Sequence, residues 1–210
     1  VDTIMQLDLL TRNELEAALD FRFMPKNLLI TFHPVTLEKG TSAYQMDQLL
    51  DALSQLEDTG LIFTMPNADT DGRVLFEKIQ RFCGERKYAK AYTSLGQVRY
   101  LSCIRHVNGV IGNSSSGLLE VPSFKKATVN IGDRQRGRLK AQSVIDCEPN
   151  TPAILQAINR SFSMDFRRHL MSTVNPYGSG GASTAILNVL ETICFDSNSF
   201  KKSFYDLPSQ

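Results

Sequence analysis

The stretch Gly109-Val110-Ile111-Gly112-Asn113-Ser114-Ser115-Ser116-Gly117-Leu118-Leu119-Glu120-Val121-Pro122 organises the reading of the whole chain. A short apolar run ends in Gly-Asn. Three serines and a glycine follow, then an apolar segment carrying one glutamate. This order predicts a buried strand, a tight small-residue turn and the start of a helix. Such a junction can hold an anion, because the first amides of a helix lack internal partners and the helix dipole adds positive potential there. Serine hydroxyls add donors. Glu120, less than two helical turns past Ser114, could reach sugar hydroxyls beside a phosphate. The same residues also fit an ordinary strand-to-helix turn with serine caps.

Outward from this junction, short β-rich runs alternate with helical patterns. Strands are predicted at 28–32, 61–65, 88–92, 109–111, 127–131 and 143–147. Between them, apolar side chains recur at helical spacing. Met46, Leu49, Leu50, Leu53 and Leu56 mark a helix over 44–56, with Gly60 as its stop. Val74, Leu75, Ile79 and Phe82 mark one over 73–83, and Val98, Leu101 and Ile104 one over 97–106. Helices near 151–162 and 183–195 close the unit. Thr11 and Glu14 form a capping box for an N-terminal helix that stops before Pro25. Strands alternating with helices over most of the chain predict an α/β fold, a Rossmann-like parallel sheet with helices on both faces.

The bulk properties narrow the function. The chain has 210 residues and a formal net charge of +1, which gives no electrostatic case for nucleic acid or an acidic membrane surface. No run approaches the ~20 apolar residues of a membrane span. The acidic N-terminal stretch lacks the basic start and apolar core of a signal peptide. The cysteines Cys83, Cys103, Cys147 and Cys194 are far apart and not in metal-ligand spacing, so they read as reduced, mostly buried thiols of a cytoplasmic protein. No metal and no cofactor is expected. The chain begins at Val1, not Met, as expected of a fragment or a processed chain.

In open α/β sheets, ligands bind beyond the carboxyl ends of the strands. The polar residues at the predicted strand ends are His33, Asn67, Thr93-Ser94, Asn113 to Ser116, and Asp133-Arg134 with Arg136 and Arg138. A phosphate turn, cations, a histidine, an amide and a carboxylate suit a nucleoside diphosphate. Each residue alone has a plainer reading: His33 before Pro34 as a strand terminator, the arginines as a solvated basic loop. His106 reads as a cation at a helix end, His169 as a surface residue, and Phe124, Tyr88 and Tyr100 as core. The chain lacks a Walker phosphate loop, a Gly-x-Gly-x-x-Gly after the first strand and a Gly-x-Ser-x-Gly. Few acidic residues fall at strand ends, so no general acid/base pair is evident.

These residues carry a resemblance. His33-Pro34-Val35-Thr36, Pro66-Asn67-Ala68-Asp69, Gly112 to Gly117 with Glu120-Val121-Pro122, Asn130-Ile131-Gly132-Asp133-Arg134-Gln135-Arg136-Gly137-Arg138 and Asn175-Pro176-Tyr177-Gly178 are similar to the C-terminal half of the hydrolysing UDP-N-acetylglucosamine 2-epimerases. The match is closest to the bacterial sialic acid capsule type. The resemblance covers the chain from about residue 26 to the tail. It implies the second domain of a GT-B arrangement, in which two Rossmann-like domains face each other across a cleft. The expected organisation is an N-terminal linker or peripheral helix over 1–26, a UDP-binding domain over 27–196 and a tail over 197–210.

The resemblance also implies roles. His33 would contact the diphosphate or sugar as the catalytic residue of this half, and Asn67 would contribute to the nucleotide site. The backbone around Leu95 would hold uracil. Ser114, Ser115, Ser116 and Gly117 would bind phosphate, Glu120 the ribose hydroxyls, and Arg134 the nucleotide pocket. The reaction implied is elimination of UDP from UDP-N-acetylglucosamine, then addition of water to give N-acetylmannosamine for sialic acid biosynthesis. The carboxylates of that chemistry belong to an N-terminal domain outside this sequence. The chain alone is therefore expected to bind UDP weakly and to be inactive, and the full-length enzyme to be a homo-oligomer. Alternatives are an epimerase for the diacetamido sugar nucleotide of the legionaminic acid pathway, half of a GT-B glycosyltransferase, and a non-catalytic UDP-sugar binding module.

Overall fold

The fold is described from a computed structural model, over residues 1–35, 41–66 and 70–192. Six strands, β1 (Lys26–Thr31), β2 (Thr59–Thr64), β3 (Ala89–Tyr92), β4 (Gly109–Gly112), β5 (Ala127–Ile131) and β6 (Val144–Cys147), form one sheet. Their order is β3-β2-β1-β4-β5-β6, and every pairing is parallel. Parallel neighbours need crossovers long enough for a helix. These are α3 (Thr41–Ser54), α4 (Thr70–Gly84) and α5 (Gly96–His106), then the single turn α6 (Ser116–Leu119) with a 3-10 turn over Val121–Phe124. After β6 come α7 (Thr151–Phe162) and α8 (Met164–Leu170); α1 (Asp2–Gln6) and α2 (Arg12–Leu19) precede the sheet.

Alternation along each strand divides the core into two layers. Leu28, Ile30 and Phe32 share one cluster with Leu61, Phe63, Ile111, Val129 and the apolar sides of α3, α4 and α7. Leu29, Ile62 and Val110 face the other cluster with α2, α5 and Val121. Leu28 and Leu29 are both wholly buried, on opposite faces. Truncating either to alanine costs about 2–5 kcal/mol, as removal of a packed leucine does.

Several expectations shift. Gly60 does not end a helix: α3 stops at Ser54, and Gly60 lies inside β2. The left-handed residue before that strand is Asp58, at φ 50°. Part of the N-terminal segment packs into the core, with Leu15 and Leu19 of α2 buried in the second cluster beside Phe21 and Phe23. The capping box of Thr11 and Glu14 does form. Val74 and Tyr88 are exposed instead of inward. Helix α8, capped by Ser163, had no separate signal, because its seven residues continue the amphipathic pattern of α7.

The chain divides into a large unit, Thr3–Ser179 with Val1, and a second unit, Gly180–Gln210 with Asp2. The helix expected near 183–195 is α9 (Ala182–Thr192), in the second unit. The tail expected over 197–210 lies outside the described residues.

Candidate functional site at the strand-order switch

Strand order reverses direction at the β1/β4 boundary, where one half of the sheet runs out through β2 and β3 and the other through β5 and β6. That point is the general ligand crevice of a doubly wound sheet. The register places Thr31 beside both Thr64 and Gly112 there. Gly112 sits at φ +138°, and a Cβ on it would run into the Thr31 carbonyl oxygen. Only glycine lets the two strand ends come this close.

Asn113 then ties the two chain segments together. Its Oδ1 accepts from the His33 amide at 2.8 Å, and its Nδ2 donates to the His33 carbonyl at 2.8 Å. Its own carbonyl accepts from Arg134 at 3.0 Å and from Gln135 Nε2 at 2.7 Å. Asn113 and Gln135 are each 1% exposed. The loop after β5 is thereby held against the turns after β1 and β4. Arg134, though exposed, is anchored by this bond to the backbone within the cluster, while Arg136 and Arg138 are solvated.

Beside this clamp lies a hollow of about 380 Å³, lined by Thr31, Thr64, Thr93, Ser94, Leu95, Gly96, Tyr100, Ser114, Ser116 and Glu120 among others. Ser116 Oγ donates to Glu120 Oε2 at 2.5 Å, and the Tyr100 hydroxyl donates to Ser116 Oγ at 2.9 Å. Thr31 and Thr64, which share a hydrogen bond of 2.8 Å, line the same hollow. Burial pushes the Tyr100 phenol up, which keeps it a neutral donor to Ser116. Tyr100 therefore belongs to the polar lining of the site, beyond the core role its sequence context gave it.

The serine junction differs from its expected form. The helix after it is one turn long and passes directly into the 3-10 turn, so little aligned dipole stands behind it. The Ser116 and Gly117 amides turn back onto Ser114, at 3.4 Å to Oγ and 3.2 Å to the carbonyl. The donors this junction offers are its side chains more than a helix N-terminus. Ser115 occupies the N-cap position without a side-chain capping bond, which removes the plain capping role for its hydroxyl. Gly117 is buried against β5: Thr128 Oγ1 donates to its carbonyl at 2.7 Å, and a Cβ would sit 2.6 Å from Thr128 Cγ2. Asn175 closes the other end, donating to the Leu119 carbonyl at 2.9 Å and to Ser123 at 2.7 Å.

The fold thus gathers Leu95, Ser114, Ser116 and Glu120 around one hollow. His33 and Arg134 meet at Asn113 next to it, and Asn67 lies outside the described residues. A second hollow, about 560 Å³, opens at the ends of β5 and β6 between Val35, Asp133, Arg136, Asp146 and Glu148. Asn113 as a clamp, Gln135 and Tyr100 were not singled out from the sequence for these roles. The Gly-Asp-Arg-Gln stretch was the available signal for Gln135. His106 does stand in the last turn of α5, where its Nε2 meets the Leu10 carbonyl at 2.9 Å.

A parallel sheet in this order, with a hydroxyl-rich hollow and a carboxylate at its switch point, defines a Rossmann-like domain with a polar ligand crevice. The sequence matches the family model described as UDP-N-acetylglucosamine 2-epimerase over residues 1–191, and the chain belongs to that family. It is 37% identical over 208 residues to polysialic acid biosynthesis protein P7 of Escherichia coli, covering 99% of this chain and 53% of that protein. It is 38% identical over 167 residues to the GDP/UDP-N,N'-diacetylbacillosamine 2-epimerase (hydrolyzing) of Campylobacter jejuni, covering 79% of this chain and 43% of that protein. Its fold is similar to S. aureus MnaA, solved as a co-structure with UDP, at a TM-score of 0.66 and 20% identity, over 88% of this chain and 48% of that one. The chain spans about half the length of the curated relatives it matches, and it corresponds to the C-terminal part of the family. No helix among the described residues is long and apolar enough to cross a membrane.

Proposed function

We propose that this chain is the UDP-binding part of a hydrolysing UDP-N-acetylglucosamine 2-epimerase that releases N-acetylmannosamine and UDP, in the cytoplasm, for sialic acid synthesis. The observation that carries it is the hollow at the β1/β4 switch, where Ser114, Ser116 and Glu120 stand across from the Leu95 backbone. In this reading uracil lies along the Leu95–Gly96 backbone, Glu120 accepts from ribose hydroxyls, and Ser114, Ser115, Gly117, His33, Asn67 and Arg134 surround the diphosphate. A UDP co-structure of a relative with the same fold supports the choice of nucleotide.

The reaction proposed removes the sugar C2 proton while the C1–oxygen bond breaks and UDP departs with the electron pair. Water then adds to C1 of the resulting glucal, and a proton returns to C2 on the opposite face. Donors from this chain stabilise charge developing on the leaving diphosphate, where preorganised hydrogen bonds act most strongly. The base for C2 lies in the other domain of the full-length enzyme. The test is to supply UDP-N-acetylglucosamine to the full-length enzyme and to the 210-residue chain and identify the sugar released. Free N-acetylmannosamine from the full-length enzyme, and none from the chain alone, is the expected result. UDP-N-acetylmannosamine as product, or transfer to an acceptor, would contradict it. The identity to the Campylobacter jejuni relative supports a second reading, in which the sugar is the diacetamido one. Turnover of that sugar nucleotide with none of UDP-N-acetylglucosamine would decide for it.

A further inference from the structure

We infer that Tyr100 is a positioning residue that holds Glu120 through Ser116 and so sets the preference of the site for ribonucleotides over 2′-deoxyribonucleotides. The inference rests on the nucleotide reading above and deepens it. The hydroxyls of Tyr100 and Ser116 form one chain ending on the Glu120 carboxylate. Its polarity is one-way. A carboxylate can only accept, so Ser116 donates to Glu120 and must use its lone pairs elsewhere. Tyr100 fills that acceptor side. Each hydroxyl is thereby fixed in rotation as well as in place, and donors in such a chain polarise one another.

The consequence falls on Glu120. With Oε2 tethered at 2.5 Å, the plane of the carboxylate is set before any ligand arrives. A carboxylate held in this way suits two adjacent hydroxyls, which need acceptors at a fixed spacing. A 2′-deoxyribose offers only one. Without the Tyr100 donor, Ser116 is free to rotate away, and Glu120 must be ordered when the ligand binds, which weakens the bond to the diol. A base or phosphate contact elsewhere in the hollow does not depend on this chain.

The experiment is calorimetric titration of the 210-residue chain with UDP and with 2′-deoxy-UDP, for the wild type and for Tyr100→Phe, Glu120→Gln and the double variant Tyr100→Phe/Glu120→Gln. Phenylalanine keeps the ring that fills the site and removes only the donor. The wild type is expected to prefer UDP by about tenfold, the size of a hydrogen bond to a charged group. Tyr100→Phe should weaken UDP by about three- to tenfold and leave 2′-deoxy-UDP within about twofold. Adding Tyr100→Phe to Glu120→Gln should change nothing further, because the two act as one unit. If Tyr100→Phe weakens both nucleotides equally, or neither, the positioning role is overturned while the nucleotide site stands. If the wild type binds neither, the nucleotide reading itself is lost and this inference with it.

Discussion

Asn113 and His33 exchange two hydrogen bonds of 2.8 Å, side chain to backbone, across the point where the sheet changes direction. The pairing satisfies both backbone groups of His33 with one amide side chain and fixes the turn after β1 relative to the serine junction. Asn113→Ala should destabilise the chain by about 2–4 kcal/mol, two net hydrogen bonds plus buried groups left unpaired. Urea denaturation measures this. Asn113→Asp should also be poor, because a carboxylate can accept from the His33 amide but repels its carbonyl. An aspartate variant as stable as the wild type would show that the donor half of the pairing contributes little.

The close packing of Gly117 on β5 predicts a suppressor. Gly117→Ala should destabilise by about 1–3 kcal/mol, because its Cβ would sit 2.6 Å from the Thr128 methyl carbon. Thr128→Ser removes that methyl and keeps the hydroxyl that donates to the Gly117 carbonyl. The double variant should therefore be more stable than Gly117→Ala alone in the same denaturation experiment.

Helix α2 should lose support in acid. Glu14 is held below the usual carboxylate range by the backbone and side-chain hydrogen bonds of Thr11. A carboxylate with a depressed folded pKa contributes stability that is present above its unfolded pKa and lost as pH falls through the folded one. Glu14→Gln should narrow the difference in Tm between about pH 7 and about pH 3. Thr11→Ala should cost about 1 kcal/mol at neutral pH through loss of the cap.

Three thiols should resist alkylation. Burial pushes Cys83 up to about 11 and both Cys103 and Cys147 to about 12; Asp146 and Glu148 add to the shift at Cys147. In a Cys194→Ser background, iodoacetamide at about pH 8 should modify each of them at least roughly a hundredfold more slowly than a free thiol. Labelling of Cys147 at the free-thiol rate would show that the hollow beside it exposes a thiolate.

The strands and their polar ends were readable because the information is local. Leu28 to Phe32, Leu61 to Phe63 and Ala127 to Ile131 are apolar runs bounded by breakers, and each forms a strand apart from Phe32, which lies just past the end of β1. What joins the ends is not local. The bond between Tyr100 and Ser116 depends on α5 packing against β1 and the 3-10 turn, and the contact of Gln135 with the Asn113 carbonyl spans two strands. Tyr100 carries the same pattern as a core aromatic, since its ring does pack inward and only its hydroxyl marks the site. Gly60 misled for the opposite reason: a glycine after an apolar helix fits a stop signal, yet β2 runs through it.

The central claim is where the nucleotide sits. Amide shifts of the nitrogen-labelled chain, followed during titration with UDP, test it directly. The account predicts saturable changes concentrated at Thr93 to Gly96 and at Asn113 to Glu120, around the hollow at the β1/β4 switch. Changes confined to Gly132, Asp133 and Cys147 beside the other hollow, with the serine junction unmoved, would contradict it.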